Sequence, residues 1–489
     1  MYIGIVAGTG CILLFIILWI STVLLRKRIA GGLTALQEKC PVPAELLEHP
    51  PAEKLAEAIR LRTVSTTDYS AIDIAEYRKV SGYFFKQFPK LTAETEFTVL
   101  NDFSYIFHWK GTDPGLRPAL LLAHFDVVPA VAEAWSIPPF EGRVQDGYVW
   151  GRGALDTKCT LVGMLEAAER LLQKGFQPKR SWYFVSSGDE ETFGIEGART
   201  IAEYFRKHNI YFDFVLDEGT IVSLEMLPDI RKPLALLGIS EKGYADFVLE
   251  ACGKGGHASM PPKENPAKRI AEAVRKLENS RKKQRIPATV RQFLHTVIPY
   301  VPFWKRLIYA NLWLFRPLCK RMLSANLQTR SLIETTAALT MLSAGESENV
   351  IPSRARAVYN VRILPGDTVA AACRRFQKMI KSFGVSVSVL DEREINDPVT
   401  GTLFHDAAAK RLATVIGQVF PDALIAPFLS TVTTDSKYYR HVSDKIFRFV
   451  PIVLSREEVE RIHGIDERIS LENLGNILHF YLGLILSFS

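Results

Sequence analysis

Imidazole and carboxylate side chains recur in this 489-residue sequence directly after short apolar runs. His124 and Asp126 lie two residues apart at the end of one such run, so an extended backbone would point both side chains the same way. The pair Glu190 and Glu191 follows a second run. In chain order the candidates are His124, Asp126, Asp156, Glu190, Glu191, Asp217, Glu218 and His463. Each alone would be an ordinary structural group, whereas their joint occurrence indicates a shared site.

These residue types favour metal chemistry. Two imidazoles and several carboxylates, with no thiolate among them, form a ligand set suited to zinc with positions left open for water and substrate. Two metal ions about 3.5–4 Å apart need a bridging carboxylate and can activate one water molecule between them. A further glutamate can take the proton of that water and pass it to a leaving nitrogen. The adjacent Glu190 and Glu191 could divide these tasks, one as base and one as ligand.

The elements that must position these side chains alternate between strand and helix. Apolar runs at 119–123, 182–186 and 214–216 predict buried parallel strands, and helical spacing at 161–172 and 197–205 predicts the helices between them. This rhythm is typical of an open, mostly parallel α/β sheet, whose sites form at the carboxyl ends of the strands.

From Glu241 the pattern changes to strand, helix, two strands, helix and strand, which predicts a ferredoxin-like domain inserted into the first one. The predicted boundaries are 29–240 and 396–489 for the α/β domain and 241–395 for the insertion. A chain of this length also favours two domains. Its 47% apolar and 23% charged residues exclude a disordered protein, and six cysteines without a CxxC pair argue against a disulfide framework.

The N-terminus predicts a membrane anchor at 1–28. Ile3 to Leu25 carries no charged side chain and is long enough to cross a bilayer, and Arg26, Lys27 and Arg28 follow it. A cleaved signal peptide, the alternative, would place its positive charges before the apolar stretch. The basic flank favours a single-pass protein with its catalytic domain on the cytoplasmic side, and the opposite orientation stays open.

A second membrane contact is suggested by a basic stretch from Lys268 to Arg330, which holds fifteen Lys or Arg residues and two Glu residues. Aromatic residues are interleaved with these charges between Phe293 and Leu323. Such a pattern suits contact with anionic lipid, and it equally suits a solvated basic helix followed by a packed helical insertion. Nucleic-acid binding is not expected, because no recognised binding module accompanies the charge.

Six motifs carry a resemblance to a known family. They are AHFDVVP at 123–129, PPFEGRVQDGYVWGRGALDTK at 138–158, GDEE at 188–191, GGHAS at 255–259, NVIP at 349–352 and RIHG at 461–464. The sequence resembles the dinuclear-zinc metallopeptidase family of aminoacylase-1, succinyl-diaminopimelate desuccinylase, glutamate carboxypeptidase and carboxypeptidase S. The branch that it most resembles is that of the N-fatty-acyl-amino-acid synthase/hydrolase and carboxypeptidase S.

The resemblance implies a role for each site residue. Asp156 would bridge two zinc ions per subunit, with a cis peptide bond to Thr157. The remaining metal ligands would be His124 and Asp217 at one ion, and Glu191 and His463 at the other. Glu190 would be the general base, and Asp126 would orient His124.

The inserted domain would serve as a lid and dimerisation domain in this family. His257 would reach the active site of a partner subunit and stabilise the oxyanion, which implies a homodimer. Asn349 and Arg362 match positions near the lid and the substrate carboxylate, although a turn-capping Asn and an Arg paired on the sheet surface are equally compatible. The sequence departs from the family at 430–436, where STVTTDS replaces a glycine-rich stretch.

The predicted function is metal-assisted, reversible hydrolysis of an amide bond beside a carboxylate in an N-(fatty-)acyl amino acid. The predicted anchor and the apolar, basic stretch suggest a substrate with a long acyl chain. A membrane-tethered carboxypeptidase or dipeptidase acting on short peptides is the first alternative. A non-catalytic membrane-bound scaffold is the second, and the presence of every ligand and of Glu190 argues against it.

Overall fold

The computed structural model describes residues 16, 18–27, 41–401, 404 and 406–488. Its largest element is a ten-stranded mixed sheet. From one edge to the other the strands are Glu96–Leu100, Ser104–Trp109, Trp182–Ser187, Ala119–His124, Phe214–Asp217, Ile446–Arg448, Leu234–Glu241, Val222–Ser223 and Val453–Leu454, with Leu424–Ser430 also paired to Leu234–Glu241.

The three strands that the apolar runs predict lie side by side in the middle of this sheet. Ala119–His124 is parallel to both Trp182–Ser187 and Phe214–Asp217. Every residue of these strands is buried, as expected for a sheet covered on both faces. The predicted α/β fold with central parallel strands is confirmed, and the carboxyl ends of these strands meet at one edge.

Helices cover the sheet. Those around it are Ala52–Arg60, Ile74–Gln87, Pro89–Glu94, Lys158–Gln173, Ala198–Lys207, Ala407–Val419, Arg456–Val459 and Leu471–Ser487. The helix Lys158–Gln173 is almost wholly buried because Leu471–Ser487 packs along it, and Ile477 leaves no room for a side chain at Gly163. A further sheet has three strands, Arg468–Ser470, Tyr148–Trp150 and Arg143–Gln145.

A second sheet has four antiparallel strands in the order Thr336–Ala344, Arg354–Ile363, Gly243–Cys252 and Ser386–Val389. Together with the helices Pro266–Glu278 and Val369–Ile380 it follows the strand and helix order that the sequence predicts. Its own core includes Phe247, Tyr359 and Phe376. The boundaries 241–395 and the lid and dimerisation roles stay predictions.

The aromatic stretch forms the helices Ala288–Thr296, Phe303–Ala310, Leu312–Leu323 and Leu327–Ser331. The first three of these helices share a hydrophobic core with strands Leu234–Glu241 and Leu424–Ser430 of the large sheet. The helical insertion therefore packs on the large sheet, although in sequence it lies inside the predicted insertion 241–395.

The predicted anchor falls mostly on residues outside the described part of the chain. The described helical residues 18–27 pack against the insertion, where Thr22 and Leu18 are buried. Within the residues that the structure describes, no helix is both long enough and apolar enough to cross a membrane. The anchor at 1–28 and its sidedness stay predictions from the sequence.

Candidate active site

The candidate side chains meet where the central parallel strands end. His124 is the last residue of its strand and pairs with Ser187, the last residue of the neighbouring strand. Glu190 and Glu191 follow Ser187 in a single turn of 3-10 helix. On the other side Glu218 directly follows the strand Phe214–Asp217.

The carboxylate of Asp156 stands between two imidazoles. Its Oδ1 atom lies 3.1 Å from Nε2 of His124, and its Oδ2 atom lies 3.0 Å from Nε2 of His463. Each oxygen therefore faces a different ring, which is the arrangement a carboxylate needs to bridge two cations. The peptide bond between Asp156 and Thr157 is cis, as the resemblance implies.

Two groups of ligand atoms share Asp156. The first group is His124, Asp156 and Glu218, and the second is Asp156, Glu191 and His463. In each group one ligand atom from every residue lies within 4.8 Å of the others. The donor set of imidazole and carboxylate suits zinc and leaves positions open for water and substrate. The residues present thus fit a pair of divalent ions.

The two groups differ in their access to solvent. The side chain of His124 is 1% exposed, whereas that of His463 is 48% exposed. The second group is therefore the one that opens to solvent, and a substrate can approach it directly.

The ligand assignment differs from the sequence-based one at a single position. Glu218, and not Asp217, brings its carboxylate to 3.5 Å from Nε2 of His124. In the strand register, which pairs Leu121 with Leu216, Asp217 lies two residues short of His124 and Glu218 lies one residue short of it. The Oδ2 atom of Asp217 instead accepts a hydrogen bond of 2.8 Å from the backbone N–H of Ser436.

Asp126 contacts both His124 and the turn that contains Glu190 and Glu191. Its carbonyl oxygen lies 3.0 Å from Nδ1 of His124, and its Oδ1 atom lies 3.3 Å from the same nitrogen. These acceptors favour a proton on Nδ1 and leave Nε2 as the ligand atom. The same carboxylate accepts backbone hydrogen bonds of 3.1 Å from both Glu190 and Glu191. Asp126 therefore orients the imidazole and fixes the turn that carries both glutamates.

Glu190 lies beside the ligands without belonging to either group. Its Oε2 atom is 3.9 Å from Nε2 of His124, and its side chain is 13% exposed. Burial raises the pKa of Glu190 well above its usual value, and the carboxylates of Glu218 and Asp435 add to the shift. A carboxyl group with a raised pKa can both accept and release a proton near neutral pH.

The excess of buried carboxylates perturbs the other groups as well. Burial and the neighbouring Asp156 carboxylate raise the pKa of Glu218 to about 8. Hydrogen bonds to Asp156 and Glu191 raise the pKa of His463 to about 10. Clusters of strongly perturbed groups in a cleft are typical of functional sites. Bound divalent cations would compensate the negative charge that these residues bring together.

A buried ion pair between Arg152 and Glu467 stabilises the segment that contains Asp156. The Oε1 atom of Glu467 accepts backbone hydrogen bonds of 2.7 Å from Leu155 and 3.2 Å from Asp156. Its Oε2 atom accepts a 2.6 Å bond from Arg152, whose other terminal nitrogen donates to the carbonyl of His463 at 3.1 Å. Because Glu467 is fully buried, this pair holds the Asp156 and His463 segments together.

Glycine is required just before Asp156. Gly153 has a φ of +89°, and a Cβ at this position would lie 2.9 Å from a methyl group of Val127. Lys158 follows Asp156 and Thr157 in the sequence, and its buried ammonium group donates hydrogen bonds to the carbonyls of Ala58 and Leu61.

The structure places His257 and Asn349 next to each other and outside the two ligand groups. Their strands, Gly256–His257 and Val350–Ile351, form a two-stranded ladder, and the carbonyl of Asn349 accepts a hydrogen bond from Ala258. Both residues are exposed. The roles of His257 in a partner subunit and of Asn349 at the lid stay predictions.

Arg362 reaches from the second sheet to the catalytic domain. Its guanidinium group donates a 3.0 Å hydrogen bond to Oγ1 of Thr433 and lies 4.7 Å from the ring centre of Tyr244. Thr433 belongs to the segment 430–436, where the sequence departs from the family pattern. The Nε atom of Arg362 also donates a 3.2 Å hydrogen bond to Oδ1 of Asn360 on its own strand, so Arg362 is paired both on the second sheet and with the segment 430–436. Its role at the substrate carboxylate stays a prediction.

The sequence-based assignment gives no role to three residues of the site. They are Glu218, Arg152 and Glu467. Glu218 was visible as a neighbour of Asp217, but choosing between them needs the strand register. Glu467 lies four residues after His463, and only its burial opposite Arg152 reveals its role.

The ligand assignment can be tested by metal content. We expect Glu218→Gln to lose about one metal equivalent per chain, because it removes a charged donor from the His124 group. Asp217→Asn should retain both metal equivalents, because the Asp217 side chain accepts a hydrogen bond from a backbone N–H and lies in neither ligand group. The measurement is metal analysis after dialysis against buffered zinc, and the reverse pattern would restore Asp217 as the ligand.

The stabilising role of the Arg152–Glu467 ion pair can be tested by substituting Glu467. Glu467→Ala leaves the Arg152 charge buried without its partner, so we expect a loss of about 3–5 kcal/mol in the free energy of unfolding. Metal affinity should fall about 10–100-fold, as for groups that orient ligands. Chemical denaturation and zinc titration measure the two effects. The control is Glu203→Ala, which removes a half-exposed carboxylate paired with Arg206. Equal losses of stability and metal affinity in the two variants would contradict the stabilising role of the Arg152–Glu467 pair.

Comparison with known proteins agrees with this geometry. Residues 120–487 match the model of Peptidase family M20/M25/M40. A probable carboxypeptidase S-like 2 of Dictyostelium discoideum is 37% identical over 443 residues, covering 89% of this chain and 84% of that protein. The N-fatty-acyl-amino acid synthase/hydrolase PM20D1 of Xenopus tropicalis is 38% identical over 442 residues, covering 88% of this chain and 85% of that protein.

Solved structures share the fold at low sequence identity. The M20 family metallo-carboxypeptidase Sso-CP2 of Sulfolobus solfataricus superposes with a TM-score of 0.67 at 17% identity, covering 89% of this chain and 98% of that chain. These matches confirm the resemblance read from the motifs. The chain belongs to Peptidase family M20/M25/M40 and is a metal-dependent hydrolase.

Proposed function

We propose that the protein is a two-zinc amidohydrolase that cleaves the amide bond of N-acyl amino acids, with long acyl chains preferred. The observation that carries the metal chemistry is the Asp156 carboxylate, whose two oxygens face two different imidazoles. The substrate class is supported by the relatives named N-fatty-acyl-amino acid synthase/hydrolase in Xenopus tropicalis and Homo sapiens, which are 38% and 36% identical.

When bound, the two metal ions would lower the pKa of a water molecule and polarise the scissile carbonyl. His124, Asp156 and Glu218 would hold one ion, and Asp156, Glu191 and His463 would hold the other. Glu190 accepts the proton of the attacking water and then donates it to the departing amine nitrogen. Asp126 keeps Glu190 in place, because it binds the backbone N–H groups of the turn.

The same groups serve the reverse reaction. A catalyst lowers the barrier in both directions, so amide formation proceeds when the acyl donor is abundant or the amide is removed. The direction in a cell therefore depends on concentrations.

Recognition of the substrate carboxylate falls to Arg362 in this proposal. Its guanidinium group is directed toward the catalytic domain, and Glu190 is among the groups that act on it electrostatically. Arg can bind a carboxylate through two parallel hydrogen bonds, which would replace its present bond to Thr433.

His257 would complete the site from a second subunit. It lies on the exposed two-stranded ladder beside Asn349, at a position that a partner can cover. A homodimer formed through the second sheet would let each His257 stabilise the oxyanion in the other subunit. This role rests on the family resemblance.

A carboxypeptidase acting on short peptides is the second candidate. It is favoured by the carboxypeptidase S-like relative of Dictyostelium discoideum at 37% identity. Both candidates use the same metal centre and the same base, and they differ only in what lies on the acyl side of the amide.

The role of Glu190 can be tested by Glu190→Gln. We expect kcat to fall by about 10²–10⁴-fold, because the amide cannot accept the proton. The metal content should not change, since Glu190 belongs to neither ligand group. Glu191→Gln should lose metal together with activity, and the exposed Glu133→Gln should lose neither. Unchanged kcat in the metal-loaded Glu190→Gln protein would contradict the mechanism.

The substrate class can be tested with paired substrates. We expect amine release, followed by mass spectrometry, from a long-chain N-acyl amino acid to exceed release from a short-chain one and from a dipeptide. Glu190→Ala should abolish release from all three. A preference for the dipeptide would establish the carboxypeptidase, and equal rates for long and short acyl chains would refute the long-chain preference.

A further inference from the structure

Two consecutive helices of the insertion expose large apolar side chains. They are Phe303–Ala310 and Leu312–Leu323. We call their exposed apolar residues the insertion face: Phe303, Trp304, Trp313, Leu314 and Leu318. Trp313 is 66% exposed and Trp304 is 53% exposed. The two helices contact each other, and several large apolar side chains exposed on neighbouring helices are typical of docking sites.

The charge around this face is of one sign. The sequence holds no Asp or Glu from Asn279 to Ile333, so every charged side chain in this stretch, which includes both helices, is a cation or a histidine. Arg316 and Arg321 are exposed on the same helix as Trp313. Aromatic rings flanked by cations suit the boundary between headgroups and acyl chains of anionic lipid.

The N-terminal helical residues extend the same surface. The side-chain amide of Asn311, between the two helices, lies 3.3 Å from the carbonyl of Leu18 and 3.3 Å from the hydroxyl of Thr22. Asn311, Leu18 and Thr22 are all buried in this contact. The opposite side of the N-terminal helical segment is apolar and exposed, at Ile16, Trp19, Ile20 and Leu24.

This contact joins the insertion to the stretch of the sequence that is most suited to a bilayer. The exposed N-terminal residues belong to the uncharged run from Ile3 to Leu25, and exposed Arg26 and Lys27 follow it. A second copy of the chain is a poorer occupant, because symmetric pairing would bring Arg316 and Arg321 toward their own copies.

We propose that the insertion face and the exposed side of the N-terminal helical segment form one surface that docks on an anionic lipid bilayer. The helices Phe303–Ala310 and Leu312–Leu323 lie in the interface, with Trp304 and Trp313 at the boundary with the acyl chains and Arg316 and Arg321 at the phosphates. This inference does not depend on the proposed substrate.

The test uses the full chain reconstituted in vesicles of phosphatidylcholine and phosphatidylserine that contain brominated acyl chains, which quench tryptophan fluorescence on contact. Trp304→Phe/Trp313→Phe removes the reporter rings and keeps the apolar surface. We expect the quenched part of the fluorescence to fall at least about two-fold in this variant. Trp109→Phe, at a position 2% exposed, should leave the quenched part unchanged.

A second pair of variants tests the charge. Arg316→Glu/Arg321→Glu should reduce quenching in vesicles with phosphatidylserine and change it little in pure phosphatidylcholine. Arg206→Glu/Arg456→Glu, at two exposed positions outside the insertion, is the matched control. Quenching that is unchanged in Trp304→Phe/Trp313→Phe would overturn the proposal, because Trp19 would then account for the signal. Concentration-dependent protection of 303–321 from hydrogen exchange without vesicles would also overturn it in favour of a second copy.

Discussion

The carboxylate of Asp156 has to lie between two imidazoles that are 339 positions apart in the numbering, and much of the structure serves that constraint. His124 arrives at the end of a central strand, and His463 arrives on a loop near the C-terminus. Parallel strands bring His124, the Glu190–Glu191 turn and Glu218 to one edge of the sheet. The loop of His463 has no such scaffold, so it depends on the buried pair of Arg152 and Glu467.

The same arrangement sets the electrostatics. Asp126 and Glu467 hold their neighbours through backbone N–H groups and thus satisfy their own charges without competing for the metal positions. Burial raises the pKa of the Glu218 and Glu190 carboxyl groups, and it raises that of Glu467 as well. Burying several carboxylates next to each other costs free energy unless cations compensate their negative charge. The ligands therefore fold into a geometry that favours cation binding, and Glu190 beside them is suited to carry a proton.

The sequence allows much of this to be predicted, for physical reasons. Buried parallel strands read as continuous apolar runs, so the strands before His124, Glu190 and Asp217 could be located almost to the residue. The succession of strands and helices along the chain in the second sheet also agrees with the sequence pattern. The choice of Glu218 over Asp217 could not be made, because it depends on a register between two strands. The ion pair of Glu467 with Arg152 could not be predicted either, because a buried ion pair between distant segments leaves no local pattern in the sequence. The same holds for the helical insertion, whose helices are evident in the sequence but whose packing on the catalytic sheet is not.

The central claim is that two metal ions share Asp156. It is tested most directly by crystallising the zinc-loaded protein and measuring anomalous scattering at the zinc edge. The account predicts two peaks about 3.5–4 Å apart on either side of the Asp156 carboxylate, one bound by His124 and Glu218 and the other by Glu191 and His463. A single peak, or a pair in which Asp156 contacts only one ion, would contradict it.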